Sequence, residues 1–193
     1  MYAKVENNTV VKVNSSLASF NNAAPSWSAE QLVANGIYEV VYDNTNLKDS
    51  RFYNNGAESF TFANDVVTAS YAAAVGKTLD DVNAVDQEGN AILDSDGVQI
   101  ITSGVKTNEK NQIKAQAAGQ LQSTDWYVVR HAESAAAIPA NVSTFRTAVR
   151  TKSNEMETAI DNATTIEAVE ALFTYTKGAD DVSSRPLGEW PTL

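Results

Sequence analysis

The chain has 193 residues, a formal charge of −10 and a pI near 4.5, so its surface repels phosphate and nucleic-acid binding is not expected. It has no cysteine, which excludes disulfides, thiol catalysis and cysteine-based metal sites. Its first thirty residues lack a basic start leading into an apolar segment, and no apolar run approaches the roughly 20 residues of a membrane span, so neither a secretory signal nor a membrane anchor is expected.

Hydrophobic residues make up 43% of the chain, but many are alanine, which predicts a thin core. Ala3 to Val13 places Asn7-Asn8 between β-branched residues, the signature of a hairpin. A helical turn is expected over 15–21. Ser28, with Gln31 three residues later, predicts a capping box, Trp27 a staple onto Leu32, and Gly36 the stop of that short helix. Ile37 to Tyr42 reads as a strand and 43–55 as a loop. Over Glu58 to Val75, apolar and polar residues alternate about Asn64-Asp65, which predicts two strands of a sheet covered on one face. Leu79 to Gly104 carries turn signals at Glu88-Gly89-Asn90 and Asp96-Gly97, which predicts a small β-meander. Its many acids match turn chemistry, because Asp94-x-Asp96-Gly97 lacks the rest of a calcium loop.

A long helix is predicted over 107–122. Ile113, Ala117 and Leu121 form its narrow apolar stripe. Lys106, Lys110 and Lys114 line one side, either as a solvated face or as a contact for an acidic partner. A second helix begins near Pro139. Val142, Phe145, Val149, Met156 and Ile160 fall on one of its faces. Between the two helices lie Trp126, Tyr127 and a polar linker. Asp125 is expected to pair with Arg146 or Arg150 and lock the helices as an antiparallel hairpin, with Trp126 wedged over the junction.

The spacing of Leu121, Thr124, Asp125 and Trp126, followed by Phe145, Arg146, Val149 and Arg150, resembles the phage tail assembly chaperone domain of tailed bacteriophages. The resemblance covers about 105–152, and that family usually has Tyr where this chain has Phe145. The opening MYAKVENNTVVKV also resembles the start of phage tail proteins. The resemblance implies a tail assembly chaperone or a structural component of the tail, baseplate or fibre junction. It would act in the virion, or in the host cytoplasm during assembly, with other phage tail proteins as partners.

The last helix is predicted over 166–173, with Thr164 and Glu167 as a capping box. Beyond Lys177, two prolines and no periodicity predict an extended arm whose Trp190 needs a burial site on its own body or on a neighbouring subunit.

No catalytic constellation is visible, and neither a cofactor nor a metal is expected. The single histidine, His131, stands in the polar linker without a nucleophile or a metal-spaced partner. The expected fold is α+β. A β-rich part with one short helix spans 1–104, an antiparallel helical hairpin plus a short third helix spans 105–176, and the arm spans 177–193. The expected function is non-enzymatic protein–protein contact through Thr124, Asp125, Trp126, Phe145, Arg146, Val149, Arg150 and Trp190, with a homo-oligomer possible. The alternative is a host- or carbohydrate-binding module using Tyr38, Tyr42, Phe52 or Tyr53.

Overall fold

The computed structural model describes residues 1–20, 23–179 and 181–193. The chain is α+β and divides into two compact units, Met1–Gly76 and Lys77–Leu193.

In the first unit, β1 (Tyr2–Glu6) and β2 (Thr9–Asn14) form the expected hairpin. Asn7 and Asn8 have φ of 50° and 60°, as a two-residue turn matched to strand twist requires. Leu17–Ser19 makes a 3-10 turn, and Asn21, the end of the stretch expected to be helical, lies outside the described residues. Helix α1 (Ala29–Ala34) opens on the capping box: Ser28 Oγ accepts from the Gln31 N–H and Gln31 Oε1 accepts from the Ser28 N–H. Trp27 packs on the cluster of Phe20, Leu32 and Ile37. Strands β3 (Ile37–Asp43), β4 (Tyr53–Asn54), β5 (Glu58–Ala63), β6 (Val66–Tyr71) and β7 (Val75–Gly76) follow. The main sheet has the order β2-β1-β3-β6-β5, antiparallel except for the β3–β6 pair, and β4 pairs with β7. The edges β2 and β5 approach each other, so the sheet curls around Ala3, Val5, Val40, Val67 and Ala69.

The second unit begins at Lys77, not at the boundary expected after 104. Segment 77–104 belongs to it because its backbone is hydrogen-bonded to the start of helix α2 (Val105–Gln122). The N–H groups of Val105 and Lys106 donate to the carbonyls of Thr78 (2.9 Å) and Leu79 (3.0 Å), and the Gly104 N–H donates to Asp81 Oδ1 (2.8 Å).

Residues 82–102 make the two expected turns, but in place of a simple meander they close into a ring of three short antiparallel pairs. Strands β8 (Val82–Asn83) and β9 (Ile101–Thr102) pair its two ends, and the bridges Val85–Ala91 and Leu93–Gln99 make the other two sides. An eight-residue repeat underlies it: Val85 to Ile92 corresponds to Leu93 to Ile100. Asp86 Oδ1 accepts from the N–H groups of Glu88 and Asn90, and Asp94 Oδ1 accepts from those of Asp96 and Val98. Gly89 and Gly97 take the positive φ that each turn needs, 86° and 78°. The ring is cyclic in its hydrogen bonds. The Ala84 N–H donates to the Ile100 carbonyl, Ile92 to Ala84 and Ile100 to Ile92, at 2.8, 3.0 and 2.9 Å. Gln99 Nε2 reaches all three of those carbonyls, at 2.8 Å (Ala84), 3.1 Å (Ile92) and 2.9 Å (Ile100).

The remaining elements are α3 (Asp125–Ser134), α4 (Ala140–Asn162), α5 (Ile166–Phe173), β10 (Thr176–Lys177) and β11 (Ser183–Ser184). The α5 cap is Thr165, whose hydroxyl accepts from the Ala168 N–H, so the box expected from Thr164 is displaced by one residue. The core of these helices is two clusters, Ile113, Met156, Ile160 and Leu187, and Ala117, Phe145 and Val149.

Candidate docking site at the helical elbow

Helices α2 and α4 run antiparallel, as their cross-links show. Lys110 pairs with Asp161 (2.6 Å), Lys114 with Glu157 (3.4 Å), and Arg146 reaches the Leu121 carbonyl at the far end of α2. The basic stripe is therefore paired with acids of its own unit. Lys106, its first member, pairs with Asp80 at 3.3 Å. The Asp161 carboxylate raises the Lys110 pKa above the ordinary lysine value, mainly through this hydrogen bond.

At the elbow, Arg146 is the lock. Its guanidinium is buried, and Nη1 lies 2.7 Å from Thr124 Oγ1, 2.9 Å from Asp125 Oδ1 and 3.1 Å from the Leu121 carbonyl. The Thr124 hydroxyl is buried and balanced, accepting from Arg146 and donating to the Leu121 carbonyl at 2.8 Å. Asp125, with its side chain 58% exposed, is the outer member of the group. Arg150 takes no part in the pair; its one hydrogen bond there, to the Arg146 carbonyl, is 3.5 Å long. Phe145 and Val149 are buried against Ala117 and Leu121.

Two sequence expectations change here. The stretch expected to be a polar linker is helix α3, closed by Ala135 in the left-handed region at φ 58°. Trp126 does not seal the junction, because it is 50% exposed on that helix. Its ring stacks on Tyr127 with centroids 3.8 Å apart, and the Arg130 guanidinium lies 4.8 Å from the Trp126 centroid and 5.4 Å from that of Tyr127. Tyr127 and Arg130 were not among the expected site residues, although the spacing Trp126, Val129, Arg130 puts three side chains on one helical face. His131 Nδ1 is held 2.8 Å from the Ala136 carbonyl, a local contact at the end of the helix.

The arm returns to its own body. Leu187 is buried, and its N–H donates to the Leu172 carbonyl at 3.1 Å. Trp190 packs on both core clusters, and its indole N–H donates to Gln116 Oε1 at 3.0 Å. Arm and α4 together border an open groove of about 630 Å³ lined by Ser143, Thr147, Thr151 and Lys152.

For the carbohydrate alternative, Phe52 and Tyr53 are buried and offer no platform, and Tyr38 packs on Phe62 with centroids 4.8 Å apart. Among the described residues, no group of three or more His, Asp or Glu side chains is placed to hold a metal ion, and no helix is long and apolar enough to cross a membrane. Comparison with protein-family models, with curated proteins and with solved structures finds no match.

Proposed function

We propose that this chain is a tail protein of a tailed bacteriophage that works by protein–protein contact, without chemistry of its own, as a structural piece of the tail or as a factor in its assembly. One observation supports this above the rest. Four of the eight residues that carry the resemblance, Leu121, Thr124, Asp125 and Arg146, converge on one buried lock, and that lock fixes the root of a helix with no buried residue. A helix held in place yet burying nothing of its own, with a Trp–Tyr–Arg stack facing water, has the composition of an interaction hot spot. The partners under this proposal are other tail proteins.

Mass spectrometry of purified particles of the encoding phage tests the proposal. A stoichiometric chain in the particle supports a structural role. Absence from particles, together with co-purification with a tail protein from infected cells, supports an assembly role. Absence from particles and no association with any tail protein during infection overturns the proposal.

A further inference from the structure

Segment 77–103 is unusual because it contains no buried residue. Its hydrogen bonds are well made, but its axis is filled by the Gln99 amide and no apolar side chain lies there. The aliphatic residues of the ring are left in water. The three positions related by the repeat, Val85, Leu93 and Ile101, are 56%, 52% and 58% exposed, and Val98 and Ile100 are exposed beside them. Around them stand six acids, Asp80, Asp81, Asp86, Glu88, Asp94 and Asp96, and the stretch from Thr78 to Gly104 has no Lys or Arg. The ring thus leaves three repeat-related aliphatic side chains in water in a stretch whose only charges are acidic. Monomers rarely leave such surfaces uncovered.

The same unit carries the complementary surface. Helix α3 exposes Trp126, Val128 and Val129; Arg130 lies over the Trp126 ring, Asp125 on the same helix is taken up by Arg146, and Glu133 stands one turn beyond. Arg130 and Arg150 have no acidic partner among the described residues, whereas the α2 lysines are each paired. Ring against ring would press acid on acid, whereas α3 offers Arg130 to a surface that has no cation of its own. Ring against α3 joins apolar to apolar and acid to base.

We infer that the acidic ring 82–102 of one copy docks on α3 of a second copy, a head-to-tail contact between identical chains. The inference rests on α3 being a docking platform and names its occupant. Such a contact is heterologous, so it propagates into a closed ring or an open row of copies. In this contact Arg130 and Arg150 meet Glu88 and Asp96, acids whose side chains are not used in the turns, and Val85, Leu93 and Ile101 cover Trp126 and Val129.

The test is sedimentation of the full chain at low and high salt. The expected result is a weight-average mass that rises with protein concentration at low salt and falls when salt screens the contact. Val129→Asp and Leu93→Asp change exposed residues, and circular dichroism checks that the fold is kept. Each variant alone stays monomeric. Mixed, they form a one-to-one dimer and nothing larger, because each supplies the surface that the other lacks. Arg130→Glu lowers the association constant at least about tenfold, and Glu88→Lys in the partner restores it. A monomer at every concentration at low salt overturns the inference, as does a mixture of the two variants that stays monomeric, or association that survives both substitutions. None of these results bears on whether the chain is found in tail particles, so the two proposals fail separately.

Discussion

Replacing Arg146 by methionine isolates the lock, because methionine keeps most of the buried stem and deletes the guanidinium. A hydrogen bond from a charged donor contributes about 1.5–3 kcal/mol. Three acceptors share Nη1, and it carries only two hydrogens, so the contributions do not add. Asp125 is already half in water and is rehydrated when its partner leaves, which removes the heavy cost of an abandoned buried charge. The expected loss is therefore about 2–3 kcal/mol, or a fall of roughly 10 °C in the melting temperature of a unit this size. Thr124→Val strands the buried guanidinium without its shortest contact and costs about 2 kcal/mol. Asp125→Ala removes only an exposed partner and costs less than about 1 kcal/mol. The assay is urea unfolding followed by far-UV circular dichroism, which reports mainly α2 to α5. The double variant Thr124→Val/Arg146→Met should show a coupling of about 1–2 kcal/mol. If Asp125→Ala were as costly as Arg146→Met, exposed Coulomb attraction would be holding the elbow, and the buried hydroxyl network would be the wrong explanation.

Trp190→Ala should cost about 2 kcal/mol, since the indole is partly buried and bonded to Gln116, and it should make the arm sensitive to limited proteolysis. An arm whose resistance is unchanged would mean that Leu187 alone anchors it. Gly36→Ala should destabilise the first unit by more than about 1 kcal/mol, because φ is 68° and a Cβ would lie 2.8 Å from the Val5 carbonyl oxygen. Gly119→Ala, in α2 where a Cβ meets nothing, should stabilise the second unit by about 0.5–1 kcal/mol, and thermal melts of the two variants compare them directly. The Asp81 carboxyl lies below its ordinary pKa, first through the Gly104 N–H and then through Thr107, and Asp86 is lowered chiefly by the Asn90 side chain. A depressed folded pKa means that this stabilisation is complete above the unfolded value of about 3.9 and is lost as the pH falls through the folded value. Amide exchange at Gly104 and Asn90 should therefore stay slow from neutral pH to about 4 and be deprotected, after correction for intrinsic rates, only below it.

The sequence is most legible where a local device determines structure. Asn7-Asn8, Asn64-Asp65 and the Ser28–Gln31 box each satisfy their own backbone groups, and all three form as expected. The helices α2 and α4 follow from the spacing of Ile113, Ala117, Val149, Met156 and Ile160, and α5 from that of Ile166 and Val169, all of which become buried. Helix α3 escaped because its ends lack the usual punctuation. Ala135 takes the left-handed stop position with no Gly or Asn there, and the helix has no buried face to leave a periodic trace. At the elbow, the Asp125–Arg146 pair could be anticipated from charge, but the larger part of the lock could not. Thr124 is buried because the α2–α4 crossing brings Arg146 over the Leu121 carbonyl, and that crossing is a tertiary fact. The unit boundary failed for a similar reason. Turn-rich composition assigned 77–104 to the β part, whereas the hydrogen bonds of Gly104, Val105 and Lys106 bind it to the helices.

The ring and α3 depart from the rest of the chain in the same physical way. Elsewhere, backbone order is stabilised by burying aliphatic side chains. In these two segments it is held by hydrogen bonds alone: the two aspartate turns and the Gln99 amide in one, and the Arg146 lock at the root of the other. Hydrogen bonds exchange with water at modest net gain, so a segment built from them stays ordered without contributing much to global stability. Its apolar side chains are left over for another purpose. Val85, Leu93 and Ile101 in one place, and Trp126 and Val129 in the other, face water at an energetic cost that burial against a neighbour would recover. Substitution should separate the two roles. Leu93→Asp and Val129→Asp should leave the urea midpoint within about 0.5 kcal/mol of the parent, while Gln99→Ala, which removes the amide from the three carbonyls, should loosen the ring. Its sign would be faster amide exchange at Ala84, Ile92 and Ile100. If Leu93→Asp instead unfolded the ring, its aliphatic side chains would be stabilising the monomer, and there would be no free surface to offer a second copy.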